Sequence, residues 1–183
     1  QLARPLHQQF DGVDVYSPVY PDIPQRLSGE SFALSLNRHA HAYAVQRVLR
    51  RRMGSVAFSG IHVHDIRYAG LSYPLWQPER AQATVLTLHG VDPFIESRVE
   101  KPWLRKMLGS VWSSVERVAL VGRPLQPFAD KLGVPVCQRV LIHNGSLVPE
   151  QCSYAQRPIM GRRVLLSVSN LVPLKGIDLN LEA

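Results

Sequence analysis

Apolar and polar residues alternate along this chain with two periods, so strand-like and helix-like segments follow one another. Short apolar runs rich in β-branched residues predict strands at Val13 to Tyr16, Ile61 to His64, Thr84 to His89, Val118 to Val121, Arg139 to Ile142 and Val164 to Val168. Apolar residues at helical spacing predict helices at Ser31 to Met53, Pro102 to Val115 and Pro124 to Leu132. This order predicts an α/β fold with a mostly parallel, Rossmann-like sheet and flanking helices.

The spacing of apolar residues also predicts one apolar face on each long helix. In the first helix this face consists of Leu36, Ala40, Tyr43, Ala44 and Val48. In the second it consists of Leu104, Met107, Leu108, Val111 and Val115. Gly54 is placed to cap the first helix.

Polar side chains follow two of the predicted strands at their carboxyl ends, where ligands of open parallel sheets bind. His64 ends one strand, and His89, Gly90 and Asp92 follow another. An imidazole can donate and accept hydrogen bonds, and a glycine lets a ligand approach the backbone, so this pattern suits sugar hydroxyls. For each histidine taken singly, the alternative is a purely structural role at the end of its strand.

The last stretch reads as strand, turn and helix, with Pro173, Lys175 and Gly176 in the turn and Asp178 at the start of the helix. Backbone N–H groups and the positive end of the helix dipole point into such a turn, and Lys175 adds an ammonium group. The turn is therefore a candidate anion site, and an ordinary surface loop is the alternative.

Several motifs, in a fixed order, resemble those of family-4 retaining glycosyltransferases, which have the GT-B fold. The motifs are Ile61-His-Val-His64, Val85-Leu-Thr-Leu-His-Gly-Val-Asp92, Val118-Ala-Leu-Val-Gly122, Leu132-Gly-Val-Pro135, Val140-Leu-Ile-His-Asn-Gly145 and the run from Ser167 to Ala183. The resemblance spans about residues 61–183, and residues 1–60 fit only loosely.

The resemblance implies a role for residues of the first domain. By analogy, His89 lies against the transferred sugar in the cleft between two domains, with Gly90 beside it. Asp92 and His64 become candidate contacts to the substrate, and Arg123 a candidate contact to a phosphate.

In the second domain the resemblance implies that Lys175, with Gly176 and the N–H groups of the following helix, holds the diphosphate of the donor. Asn170 stands where the family often has an arginine, so Lys175 would carry this contact alone. Charge-assisted hydrogen bonds of this kind strengthen as negative charge grows on the leaving diphosphate.

The implied protein is a glycosyltransferase that moves a hexosyl group from a nucleoside-diphosphate sugar to a glycan or lipid-linked acceptor with retention, without a metal or other cofactor. Residues 1–157 would form the acceptor-side domain, and residues 158–183 the linker and first βα unit of the nucleotide-sugar domain. The paired Glu motif of the family would follow Ala183, so we expect the 183-residue chain alone to be inactive.

Three alternatives stand beside this interpretation. The chain could be a non-catalytic Rossmann-like module or partner subunit that binds a glycan or an anionic ligand. His62-Val-His64 resembles the first ligand pair of metal-dependent amidohydrolases, but the chain is too short for their barrel. A hydrolase is disfavoured because no Gly-x-Ser-x-Gly elbow occurs.

The net charge of +7 predicts an anionic partner. The end of the first helix carries four arginines, Arg47, Arg50, Arg51 and Arg52. One interpretation is a solvated helix end, and the alternative is a surface that binds anionic lipid headgroups or a phosphorylated acceptor. Nucleic acid is disfavoured because the basic residues are not interleaved with stacking aromatics. Without a secretory signal or a membrane-spanning run, we expect a cytoplasmic protein, with peripheral contact at the inner face of the membrane as an option.

Overall fold

Residues 6–21, 30–53, 58–76 and 83–145 are the part of the chain that the computed structural model describes. They belong to one unit that ends at Gly145. Its strands are β1 Leu6–Phe10, β2 Val13–Ser17, β3 Ile61–His64, β4 Thr84–Leu88, β5 Arg117–Leu120 and β6 Arg139–Leu141. Its α-helices are α1 Glu30–Val48, α2 Leu71–Trp76, α3 Pro93–Glu96, α4 Pro102–Trp112 and α5 Gln126–Lys131.

Short helical turns of other kinds extend or join these elements. Turns of π-helix cover Leu49–Met53 and Ile66–Gly70, and 3-10 turns cover Arg123–Leu125 and Val136–Gln138. The predictions for Gly54, for the strand at 164–168, for Asn170, Lys175 and Gly176, and for the second domain lie outside the described residues.

Strands β3 to β6 form a parallel sheet in the order β3-β4-β5-β6, which confirms the predicted α/β class. Each strand differs from its predicted bounds by at most one residue at each end. The register places His64 opposite Thr87, Thr87 opposite Ala119, and Ala119 opposite Val140. Helical connections between neighbouring parallel strands are right-handed, so this uninterrupted order sends successive helices to the same side of the sheet.

One face of the sheet supplies the hydrophobic core. Alternate residues Val63, Leu86, Leu88, Val118 and Leu120 are buried and belong to one cluster. The helices contribute Ile66, Leu71, Tyr73, Leu104, Leu108, Val111, Trp112, Phe128 and Ala129 to the same cluster. Burial of each large apolar side chain stabilises the fold by about 1.5–3 kcal/mol. Packing on this face therefore holds the helices against the sheet.

The apolar face predicted for α1 is partly wrong. Ala44 and Val48 are buried, but Leu36 is 39% exposed and Tyr43 is 66% exposed. The buried side of α1 consists of Ala33, Leu34, Asn37, Arg38, Ala42, Ala44 and Val48. Its polar bonds go to α2, since the His41 Nδ1 atom lies 2.7 Å from the Ser72 hydroxyl and the Gln46 amide donates to the Leu75 carbonyl. Leu34 packs into the core cluster beside these bonds and the small side chains, whereas Leu36 and Tyr43 stay exposed.

A β-hairpin precedes α1. Strands β1 and β2 pair antiparallel with Phe10 opposite Val13. Asp11 and Gly12 form the turn with φ of 48° and 80°, as the two-residue turns of hairpins require. Only β2 was predicted. None of the described helices is long and apolar enough to span a membrane.

Candidate functional site

Three imidazoles lie together at the carboxyl ends of β3 and β4. The Nδ1 atom of His64 is 2.7 Å from the Nε2 atom of His89, a hydrogen-bond distance. The ring centroids of His62 and His64 are 4.0 Å apart, and those of His64 and His89 are 5.0 Å apart. We call His62, His64 and His89 the histidine cluster.

The cluster follows from strand geometry. Side chains alternate across a strand, so His62 and His64 share the face opposite the buried Val63. The parallel register brings the buried hydroxyl of Thr87 to the same face, where it lies 2.6 Å from the Nε2 atom of His62. His89 comes directly after β4, which carries it to the His64 imidazole.

The cluster lines an open cavity of about 180 Å³ on this face. Its walls come from the strands and the loops that follow them, and include Val121, Ile142, His143 and Asn144. Ligand pockets for drug-sized molecules are usually about 300–1,000 Å³, so this cavity has room for part of a larger ligand. It lies where open parallel sheets bind their ligands.

The His64–His89 contact determines what the cluster offers to a ligand. When both rings are neutral, one of the two facing nitrogens donates and the other accepts. The outer nitrogens are then one donor and one acceptor, whichever ring donates. Burial lowers the pKa of His64, and the neighbouring His62 and His89 imidazoles lower it further when they are charged. Both causes favour the neutral form of the His64 imidazole.

Asp65 adds backbone strain next to the cluster. Its φ of 72° and ψ of 142° lie in a backbone region that residues other than glycine rarely adopt. Three hydrogen bonds hold Asp65 in place. Its N–H donates to the Thr87 carbonyl, its carbonyl accepts from the Gly70 N–H, and its carboxylate accepts from the Arg67 N–H at 3.4 Å. This turn directs the chain away from the sheet immediately after His64.

The structure brings together two of the predicted site residues, His64 and His89. Gly90, Asp92 and Arg123 do not line the cavity. Asp92 caps the short helix α3, since its carboxylate accepts from the Ile95 N–H at 2.9 Å. Arg123 is exposed at the start of a 3-10 turn, and a Cβ added at Gly90 would meet no atom within 4 Å.

Four polar residues of the cavity were not among the predicted site residues, namely His62, Thr87, His143 and Asn144. His62 was considered only as a metal ligand, and Asn144 only as part of one of the ordered motifs. Two features of the sequence indicated that His62 and Thr87 belong to the site. His62 alternates with the apolar Val63, and the polar Thr87 lies within an otherwise apolar strand.

The described residues contain no group of three or more His, Cys, Asp or Glu placed to hold a metal ion. The facing nitrogens of His64 and His89 are bonded to each other, so they are not both available to one metal.

Comparisons with family models, curated proteins and solved structures gave no match to this chain. The residues and their geometry are therefore what any functional proposal rests on.

Proposed function

We propose that the protein is a glycosyltransferase of GT-B type, in which the histidine cluster binds a sugar at the carboxyl ends of the sheet. The observation that carries this proposal is the His64–His89 pair on the wall of the cavity. The ordered motifs that resemble family-4 glycosyltransferases support it, because the histidine they single out, His89, belongs to this pair.

The chemistry of the pair suits a pyranose. Neighbouring sugar hydroxyls each donate and accept, and the neutral pair has one outer donor and one outer acceptor nitrogen. Val121 and Ile142 give the cavity an apolar wall that suits the C–H surface of a sugar ring. His143 and Asn144 add polar groups to the lining of the same cavity.

The pair also suits transfer from a nucleoside diphosphate. An oxocarbenium-like centre develops as the diphosphate leaves, and hydrogen bonds that strengthen at that stage accelerate the reaction. His89 would position the transferred sugar, while Lys175 and the N–H groups near Gly176 would hold the diphosphate. The acceptor would be a glycan or a lipid-linked sugar, and no metal takes part in this scheme.

The test is turnover of a panel of nucleoside-diphosphate sugars by the chain together with any sequence that continues its reading frame. We expect His89→Ala to lower turnover about a hundredfold, as the loss of one transition-state hydrogen bond does. The matched control is His39→Ala, which removes an exposed imidazole of α1 bonded to the Ser35 carbonyl.

Equal turnover in the two variants would contradict the role of His89. Saturable binding of a glycan without turnover of any donor would favour a non-catalytic binding module instead.

A further inference from the structure

Helix α1 has a second apolar face, which is exposed. Phe32 is 60% exposed, Leu36 39% and Tyr43 66%. At 100° per residue these three side chains and that of Arg47 fall within an arc of about 60°. The buried residues of α1 lie on the opposite side. We call this row the exposed stripe of α1.

The stripe ends in a basic cavity of about 190 Å³. Tyr43, Gln46, Arg47, Arg50 and Arg51 line it. The ion pairs of the described residues involve other basic side chains, so these three guanidinium groups have no carboxylate partner within that part of the protein.

The end of the helix is built so that the arginines converge. The chain changes from α-helix to a turn of π-helix at Leu49–Met53. Arg50 and Arg51 belong to this turn and Arg47 to the last turn of α1, and all three side chains line the same cavity. The Gln46 amide is held by the Leu75 carbonyl at 2.9 Å, which fixes the wall of the cavity.

We propose that the exposed stripe and basic cavity of α1 bind the surface of an anionic phospholipid bilayer. Converging guanidinium groups match the several oxygens of a headgroup phosphate. About three to four turns earlier on α1, the exposed Phe32 and Leu36 would enter the boundary between headgroups and acyl chains, and Tyr43, which lines the cavity, would lie at the polar level. A helix that lies in the plane of the membrane surface would present the cavity and the stripe to it together.

Charge argues against two other occupants. A second copy of the chain would bring an equal cluster of arginines to the contact, and each copy carries a net charge of +7. An acidic peptide would present separate carboxylates, each of which one arginine can bind in a fork, whereas three arginines around one cavity suit one phosphate.

The test is sedimentation of the purified full chain with vesicles of phosphatidylcholine alone and with vesicles that also contain phosphatidylglycerol. We expect binding to the anionic vesicles and little to the neutral ones. Each basic residue near such a surface contributes about 1 kcal/mol, so Arg50→Gln with Arg51→Gln should weaken binding about tenfold to thirtyfold.

The matched control is Lys101→Gln with Lys106→Gln, which removes the same charge from exposed positions at α4. We expect it to weaken binding less than about threefold, since these charges are not on the stripe. Phe32→Ser should weaken binding to anionic vesicles while leaving the dependence on salt unchanged.

Equal loss of binding in both double variants would contradict a specific surface on α1. Binding of glycerol phosphate in the cavity with no retention on vesicles would show a site for a soluble phosphate instead. A dimer that Phe32→Ser dissociates would assign the stripe to self-association. Each of these results overturns the proposal, and none of them depends on transferase activity, so its failure is distinct from failure of the proposed function.

Discussion

At the scale of single residues, the His64–His89 hydrogen bond dominates the chemistry of the site. Two imidazoles whose nitrogens lie 2.7 Å apart share one proton between the facing atoms. If both rings were protonated, both facing nitrogens would be donors, so the bond would be lost and like charges would face each other. The hydrogen bond therefore requires that at least one of the two rings is neutral.

The first prediction concerns pH. Burial lowers the pKa of His41 and, with the neighbouring imidazoles, that of His64. Below about pH 6.5 the unfolded chain binds protons that the folded protein does not, so the free energy of unfolding falls as the pH decreases. We expect His41→Gln to reduce this dependence. Urea unfolding from about pH 7.5 to about pH 5 measures how the free energy of unfolding depends on pH. The same dependence in His41→Gln and in the unchanged protein would contradict the prediction.

The second prediction separates a structural from a functional role for Asp92. Its carboxylate caps α3 through the Ile95 N–H. Asp92→Ala should lower the free energy of unfolding by about 1 kcal/mol, and Asp92→Ser should restore most of it, because serine also caps helices. Thermal unfolding measures both. Loss of sugar binding in Asp92→Ser without loss of stability would show that the carboxylate contacts a ligand.

At the scale of elements, α1 shows where a hydrophobic pattern misleads. The predicted face joined Leu36 and Tyr43, which are exposed, to Ala44 and Val48, which are buried. The helix has apolar residues on two sides, and its buried side also includes Asn37 and Arg38. Periodicity alone does not say which of two apolar sides faces the core.

Two glycines in helical segments give a matched pair for the third prediction. A Cβ added at Gly70 would lie 2.9 Å from the Asp65 carbonyl oxygen and 3.0 Å from a Leu86 methyl, whereas one added at Gly109 would meet nothing within 4 Å. Gly70→Ala should destabilise the protein by about 1–3 kcal/mol through overpacking. Gly109→Ala, in the exposed middle of α4, should stabilise it by about 0.5–1 kcal/mol.

Chemical denaturation of both variants measures the two changes. Changes of the same sign would contradict the packing of Gly70 between the turn after β3 and the strand β4.

Regular elements could be predicted where one period dominates. The strands of the parallel sheet and the face of α4 formed by Leu104, Leu108 and Val111 agree with the sequence. Helix α2 was not predicted, and the structure places Pro74 inside it. The hairpin was missed because the turn at Asp11 and Gly12 was not recognised as a hairpin signal.

At the scale of the whole molecule, the histidine cluster lies at the carboxyl ends of the parallel strands, where such sheets bind their ligands. The carboxyl ends of parallel strands lie at one edge, so strand-end polar residues could be expected to meet there. His64 and His89 do meet. His143 and Asn144 could not be assigned from the sequence, because their approach to the cluster depends on the path of the loop after β6.

The same architecture separates two surfaces of the described unit. The histidine cavity uses the face of the sheet opposite the hydrophobic core, whereas the exposed stripe belongs to α1, whose buried side packs against α2. Variants of Phe32 or Arg50 should therefore leave the histidine cluster intact, which allows the two proposals to be tested separately.

The most direct test of the central claim is an NMR titration, with ¹⁵N labelling at histidine, of the chain together with any sequence that continues its reading frame. On addition of nucleoside-diphosphate sugars, we expect the side-chain signals of His64 and His89 to shift with a saturable dependence on at least one donor, while those of His39 stay unchanged. If His64 and His89 stay unchanged with every donor, and with free sugars, the cavity is not a sugar site and the proposed function is wrong.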